Sequence, residues 1–380
     1  MAPPPPPAPP AAAGPPAFKL EAGKGNSVKV GLLFQPQFQS ANSATPVAGV
    51  LPDGYSNNFY IRRTRLLVGG TLFGVFEYFF DTDFANLFFA QPVTVTTMDA
   101  MGNPVMTTTM VKTTPGMNIQ DAFITWKAVG DMFKIDMGYM LPPLAHNAVQ
   151  GATTLYSWDY FGNTFNSGNS FGASATPVGR DAGLQLRGLV AGGRVEYRAG
   201  LFQGLRNAPT ATEVGARNFF RATARVQVNL LDPETGFFYA GSYLGAKKIL
   251  SVGGSADIQD EFKYFAGDVF VDMPLGPGIF TAQVNVAHWN GGAFIALPSQ
   301  TAVMGEVGFA IGDLKLAPIV RAERLFLTGD NNDTTRLGGG LALFAFNHNS
   351  NLKLFYTNIK GEAASRGVNQ INLQWQLYFF

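Results

Sequence analysis

The sequence predicts an all-β fold: one sixteen-stranded antiparallel transmembrane β-barrel with short periplasmic turns and long extracellular loops. Three observations carry this. Charged residues make up 14% of the 380 residues and hydrophobic ones 46%, against roughly 25% charged in a typical soluble domain. No run approaches the ~18–20 uninterrupted apolar residues of a spanning helix, and a closed barrel is the other structure that satisfies every backbone group in lipid. The third observation is alternation. In 368–380, Ile371, Leu373, Trp375, Leu377 and Phe379 hold one parity, and Gln370, Asn372, Gln374 and Gln376 the other. Successive strand side chains point to opposite faces, so this segment has one apolar wall and one amide-lined wall.

The chain opens with nine prolines among residues 1–16. Such a stretch favours extended polyproline II, at about 3.1 Å per residue, and packs nothing. Residues 1–26 therefore read as a disordered periplasmic tether able to contact the cell wall, or as a leader with no role. No signal peptide precedes it. The expectation is a mature form with an added Met, or a numbering that omits the leader.

The barrel is expected over 27–380. Its strands begin near Val28, Asn58, Val75, Asn118, Met132, Arg180, Arg194, Arg217, Phe237, Glu261, Gly278, Thr301, Leu314, Thr335, Leu352 and Gly367. Connections alternate in length, and short turns on one rim with long loops on the other are the outer-membrane pattern. The short ones are 72–74, 128–131, 191–193, 231–236, 273–277, 312–313 and 347–351. The long ones are 40–57, 85–117, 141–179, 204–216, 247–260, 290–300, 328–334 and 361–366. An even strand number puts both termini on the short-turn side, and a closed barrel has no edge to protect. The connection 141–179 is too long for an ordinary hairpin loop. It covers the mouth or folds into the lumen as the constriction. Its aromatics Tyr156, Trp158, Tyr160, Phe161, Phe165 and Phe171 suggest a folded plug.

Alternation also assigns the faces. Within 217–230, Arg217, Arg221, Arg225, Gln227 and Asn229 oppose Phe220, Ala222, Ala224, Val226, Val228 and Leu230. An arginine facing hydrocarbon costs about 2–4 kcal/mol near the midplane, so the arginine face is the lumen. The same logic places Arg63, Arg65, Arg187, Arg194, Arg198 and Arg321 inside. Arg187, Arg194, Arg198, Arg221 and Arg225 come from three consecutive strands, which lie about 4.8 Å apart and so can form one continuous basic patch. Guanidinium offers a planar donor fork suited to phosphate or carboxylate. A row of such groups lets small anions hop along the wall. Alternatively, these arginines pair with carboxylates such as Asp81, Asp83 and Glu196, and the lumen is unselective.

Other functions find less support. Zero cysteines exclude disulfides and thiol chemistry, and a net charge of +1 excludes a global nucleic-acid footprint. His146, His288 and His348 fall on an outer loop, an outer strand end and a periplasmic turn, too scattered for a catalytic or metal site. No cofactor or metal is expected. Residues 330–333 read as a solvated acidic turn or a calcium loop lacking ligands. Trp126, Tyr139, Tyr197, Phe237, Phe238, Tyr239, Trp289, Trp375 and Tyr378 read as girdles contacting outer-membrane lipid and lipopolysaccharide. A last alternative is a structural protein whose loops form an adhesive surface.

The segment FYIRRTRLLVGGTLFGVFEYFFDTDFA (59–85) resembles the second and third strands of the phosphate-selective porin O and P family. Paired arginines are followed by glycine, a short aromatic turn and an acidic aromatic strand. DAFITW (121–126), FKIDMGYMLPPL (133–144), VGRDAGLQLRG (178–188) and RVEYRAGLFQG (194–204) are similar too. The resemblance implies a sixteen-stranded homotrimeric porin whose lumen guides oxyanions along arginines, with Arg62, Arg63, Arg65 and Arg187 as the matching positions. The connection 141–179 contains no Lys or Arg, unlike the basic inward loops the family implies.

Overall fold

The computed structural model describes residues 18–42, 55–98, 101, 103–112, 114–164, 179–205, 220–292, 294–295, 297–313, 315–329, 333–362, 364 and 367–380. Its barrel strands are β2 (Asn26–Asn42), β3 (Tyr55–Leu72), β4 (Phe76–Asp83), β7 (Asn118–Val129), β8 (Phe133–Met140), β9 (Asp181–Val190), β10 (Val195–Phe202) and β11 (Arg221–Asn229). They continue with β12 (Ile249–Gln259), β13 (Phe262–Leu275), β14 (Gly278–Asn290), β15 (Gln300–Ile311), β16 (Leu316–Leu327), β17 (Thr334–His348), β18 (Ser350–Gly361) and β19 (Val368–Phe379). Each pairs antiparallel with the next, and β19 pairs back onto β2, with Gln374 opposite Gln37 and Leu377 opposite Phe34. The ring therefore closes on sixteen strands.

Inverted alternation sorts the side chains. In β11, Arg221, Thr223, Arg225, Gln227 and Asn229 are buried while Val226 and Val228 are exposed. In β19, Asn372, Gln374 and Gln376 are buried, whereas Ile371, Leu373 and Trp375 face outward. The amide row also stitches the seam. Gln35 Nε2 donates to Gln376 Oε1 at 2.7 Å, Gln37 Nε2 to Asn372 Oδ1 at 2.9 Å, and Gln374 Nε2 to Gln37 Oε1 at 2.8 Å.

The ninth strand departs from the sequence reading. It begins at Ile249, not near Phe237, and the expected outer loop 247–260 is mostly β12 itself. Only Asp260 and Glu261 separate β12 from β13. The glycines of ILSVGGSADIQ suggest a loop, but Gly253 has a packing reason. A Cβ there would meet the Arg225 guanidinium and lie 2.6 Å from Asp268 Oδ1. Glycine thus lets an ion pair cross over β12. The displaced segment 230–248 is a long periplasmic connection that turns into the lumen.

Three further differences concern the ends and the second loop. Phe18–Ala22, expected within the tether, form strand β1 against β2, with Phe18 opposite Val30; residues 1–17 lie outside the described residues. The connection 85–117 contains the separate hairpin β5 (Ala90–Met98) and β6 (Pro104–Lys112). Arg217, the expected start of the eighth strand, lies outside the described residues. Phe380, expected to overhang, packs inward on Phe79 at 5.6 Å between centroids. Gly31 and Gly69 make room, since Cβ atoms there would stand 2.7 and 2.8 Å from its side chain.

Candidate permeation pathway

A bulge in β3 creates the densest basic cluster. Gln35 pairs with Arg63 and Pro36 with Ile61, so Arg62 is the extra residue. A bulge lets two consecutive side chains escape the period of two, and Pro36 suits the break because it offers no N–H to the ladder. Both Arg62 and Arg63 therefore reach the lumen, where they grip one carboxylate. Arg62 NH2 lies 2.8 Å from Asp159 Oδ2, and Arg63 NH2 lies 2.6 Å from Asp159 Oδ1. Burial opposes ionisation of Asp159, but the two guanidinium groups hold its carboxyl well below the usual carboxylate range. Strict alternation selects Arg63 and Arg65 and misses Arg62.

Asp159 belongs to the connection after β8, which enters the barrel instead of capping it. Its short helix α1 (His146–Val149) is fully buried. Leu141, Leu144, Ala148 and Phe161 pack on Trp289, Ala302 and Met304 of the inner wall. Trp289, expected in the girdle, is thus an interior seat, and so are Phe237 and Tyr239. Polar anchors fix the same connection. Lys353 Nζ donates to the carbonyls of Leu155 at 2.7 Å and Ser157 at 2.9 Å. Arg321 NH1 donates to Ser157 Oγ at 2.6 Å and to the Asp159 carbonyl at 2.7 Å.

The periplasmic connection 230–248 meets it from the other side. Tyr239 N–H donates to the Val149 carbonyl at 3.1 Å, and Gly241 N–H to that of Thr154 at 3.0 Å. His146 stacks between Tyr239 and Phe270, with centroids 4.9 and 4.3 Å away, and its Nε2 lies 3.0 Å from Glu234 Oε2. Together the two insertions cover the wall formed by β10–β15.

The arginines on that wall are consequently not presented to open space. Arg221 pairs with Asp257 at 2.6 Å and Asp181 at 3.3 Å, Arg225 with Asp268 at 2.6 Å, and Arg198 with Glu196 at 2.8 Å. All three are at most 2% exposed. Arg194 lies on the periplasmic rim, where its NH1 donates to the Leu230 carbonyl at 2.6 Å. The continuous basic patch expected from β9–β11 is therefore divided. Of its members, Arg187 lines the inner cavity, while paired with Asp136 at 2.7 Å.

Open space runs along the rest of the wall, from β16–β19 at the outer cavity through β3 to β9 at the inner one. An outer cavity of about 290 Å³ and an inner one of about 800 Å³ share Arg65, Tyr160 and Arg180 in their lining. These three residues form the neck between the cavities. Arg65 is held by Asp83 at 3.0 Å and Asp81 at 3.2 Å, and Arg180 by Asp121 at 2.8 Å. Arg63 and Arg321, both expected from parity, line the outer cavity with Arg62 and Arg336. Around that cavity, six arginines face three carboxylate side chains; around the inner one, seven cationic side chains face four. Arg180 sits at the very start of its strand and Arg336 near the start of β17, where alternation has hardly begun, so parity gave no signal for either.

With this geometry in hand, the comparisons decide the family. The model of phosphate-selective porin O and P matches residues 21–218. The chain belongs to that family. No curated protein matches it in sequence. Among solved structures, the anion-selective porin from Comamonas acidovorans is similar with a TM-score of 0.57 at 12% identity, covering 93% of this chain and 100% of that one. The outer membrane channel DcaP of Acinetobacter baumannii gives 0.54 at 11% identity, covering 95% and 99%. OmpT of Vibrio cholerae in its trimer form gives 0.52 at 11% identity, covering 93% and 99%. At such identities the likeness concerns the fold: this is a sixteen-stranded porin of the bacterial outer membrane.

Among the described residues, the other candidates of the porin are engaged separately. His288 faces outward and bonds Thr301 Oγ1 at 2.9 Å, and His348 bonds the Ser242 carbonyl at 2.7 Å. Residues 330–332 lie outside the described residues. Asp333 accepts from the Leu327 N–H at 2.9 Å. Among the described residues, no group of His, Asp and Glu is arranged to hold a metal ion.

Proposed function

We propose that this porin passes small hydrophilic solutes passively and prefers anions, phosphate-like oxyanions among them. The charge of the open path carries this reading: cationic side chains outnumber carboxylates around both cavities and at both ends of the neck. A narrow low-dielectric passage focuses such a field and raises the local anion concentration. Arginine keeps its charge at every physiological pH, so the preference is fixed. The family's description and the anion-selective Comamonas neighbour support the same reading. We further propose that the inserted connection after β8 is the constriction, with Arg65, Tyr160 and Arg180 at its neck. A homotrimer is the proposed assembly, supported by the trimer form of the OmpT neighbour.

One observation favours an unselective pore instead. Arg65 and Arg180 are each held by a carboxylate, which dilutes the field where the path is narrowest. The zero-current potential across a KCl gradient separates the readings. An anion-preferring pore gives a potential of the chloride sign. Arg65→Ser with Arg180→Ser moves it toward the potassium sign. A wild-type potential near zero supports the unselective pore.

A further inference from the structure

We propose that the outer cavity contains a binding site for an organic carboxylate with a flat apolar body, centred on Arg336. The proposal rests on the channel reading above and adds a solute class to it. Arg336 forms no ion pair or hydrogen bond among the described residues, and its Nε is buried with no acceptor. Arg62, Arg63, Arg65, Arg180 and Arg321 of the same cavity all have carboxylate partners. Buried polar hydrogens without acceptors are rare in folded proteins, and the side chain that carries this one lines the cavity. A carboxylate that entered would meet a free planar fork suited to two parallel bonds.

Neither nearby carboxylate is bonded to Arg336. Glu323 stands opposite Arg336 in register, but its Oε1 lies 3.5 Å from Arg321 NH2 and its Oε2 is buried without a hydrogen bond. Asp159 is gripped by Arg62 and Arg63. The entering carboxylate has to displace no existing bond of the Arg336 fork, and among the described residues Glu323 Oε2 is the one internal group placed to compete with it.

Small residues build the seat. Gly338 follows Arg336 on the lumen parity and also lines the cavity. Gly162 lies on the inserted connection, and a Cβ there would land on the Arg336 guanidinium. Its value is space, because its φ is not in the left-handed region. Beside it, Trp158, Tyr160 and Phe161 line the same cavity, and the Arg321 guanidinium covers the Phe161 ring at 4.5 Å from its centroid. The half-buried Trp158 and Tyr160 rings give a flat apolar body something to pack on. Volume agrees. A cavity of about 290 Å³, at ~30 Å³ for each water's share of the liquid, holds far more than a bare phosphate.

The test uses the whole porin in planar bilayers, with benzoate or inorganic phosphate added at the extracellular face during KCl conduction. Benzoate is expected to block in a saturable way, at concentrations where phosphate leaves the current unchanged. Arg336→Gln is expected to raise the half-blocking concentration about tenfold, the size of one lost charge-assisted contact. Gly162→Ala keeps the charge but displaces the guanidinium, and is expected to act in the same direction. Equal block by phosphate and benzoate, or no shift in either variant, overturns the site. The two readings fail separately: the sign of the wild-type KCl potential judges anion preference, whereas the site stands or falls on the benzoate data.

Discussion

Gly151 donates its backbone N–H to the Tyr239 carbonyl at 2.9 Å, so a segment entering from the extracellular mouth meets one entering from the periplasmic mouth inside the barrel. Each supplies what the other lacks. The connection after β8 brings apolar side chains, and 230–248 brings backbone partners that its own irregular path cannot provide.

This meeting makes conductance depend on a periplasmic connection. Replacing residues 235–243 with two glycines removes the inward segment and leaves the outer insertion without its partner. Single-channel conductance is expected to rise, with more frequent current fluctuations. An unchanged, quiet conductance would show that the outer insertion holds its place alone.

The arginines behind the insertions are expected to act on stability. Arg225 makes two short contacts with Asp268, at 2.6 and 2.8 Å, and donates to Gln227 at 2.7 Å. Arg225→Ala strands a buried carboxylate, a loss of about 3–5 kcal/mol for a broken buried pair. Urea titration of the folded barrel in vesicles reads that loss. The KCl zero-current potential is expected to move much less than in Arg65→Ser. Equal shifts would mean that ions reach the covered wall.

Acid should leave the grip on Asp159 in place over an unusually wide range. The folded-state pKa of Asp159 is depressed, so its anchoring is present above the ordinary carboxylate pKa of about 4 and is lost only as pH falls through the lower folded value. The ratio of single-channel conductance between wild type and Asp159→Asn is therefore expected to stay constant from pH 7 to pH 4. A ratio that converges to one near pH 5 would contradict the double-arginine grip.

The barrel was legible in the sequence because lipid punishes error. Val226 and Arg225 cannot exchange faces without placing guanidinium in hydrocarbon, so alternation had to be strict there. It failed where geometry departs from a period of two. Arg62 was named through the family resemblance but not by alternation, because a bulge brings it inward beside Arg63. The ninth strand was misplaced because Gly253 reads as a loop residue, while its function is to clear space for Arg225 and Asp268. The inward path of 230–248 had no signature, since Phe237 and Tyr239 carry the same composition as a membrane girdle. The neck joins β3, the inserted connection and the start of β9, three segments far apart in the chain, and no local pattern announces such a meeting.

We propose that solutes pass the neck at Arg65, Tyr160 and Arg180 and do not pass the wall bearing Arg221 and Arg225. The chain contains no cysteine, so one introduced thiol reports its own accessibility. Tyr160→Cys and Thr223→Cys are compared in bilayers during treatment with a sulfonate-bearing methanethiosulfonate. Tyr160 borders both cavities, whereas Thr223 lies buried on β11. Rapid, irreversible loss of current is expected for Tyr160→Cys and none for Thr223→Cys. Block at Thr223→Cys with Tyr160→Cys unaffected would place the pathway on the opposite wall and contradict the proposal.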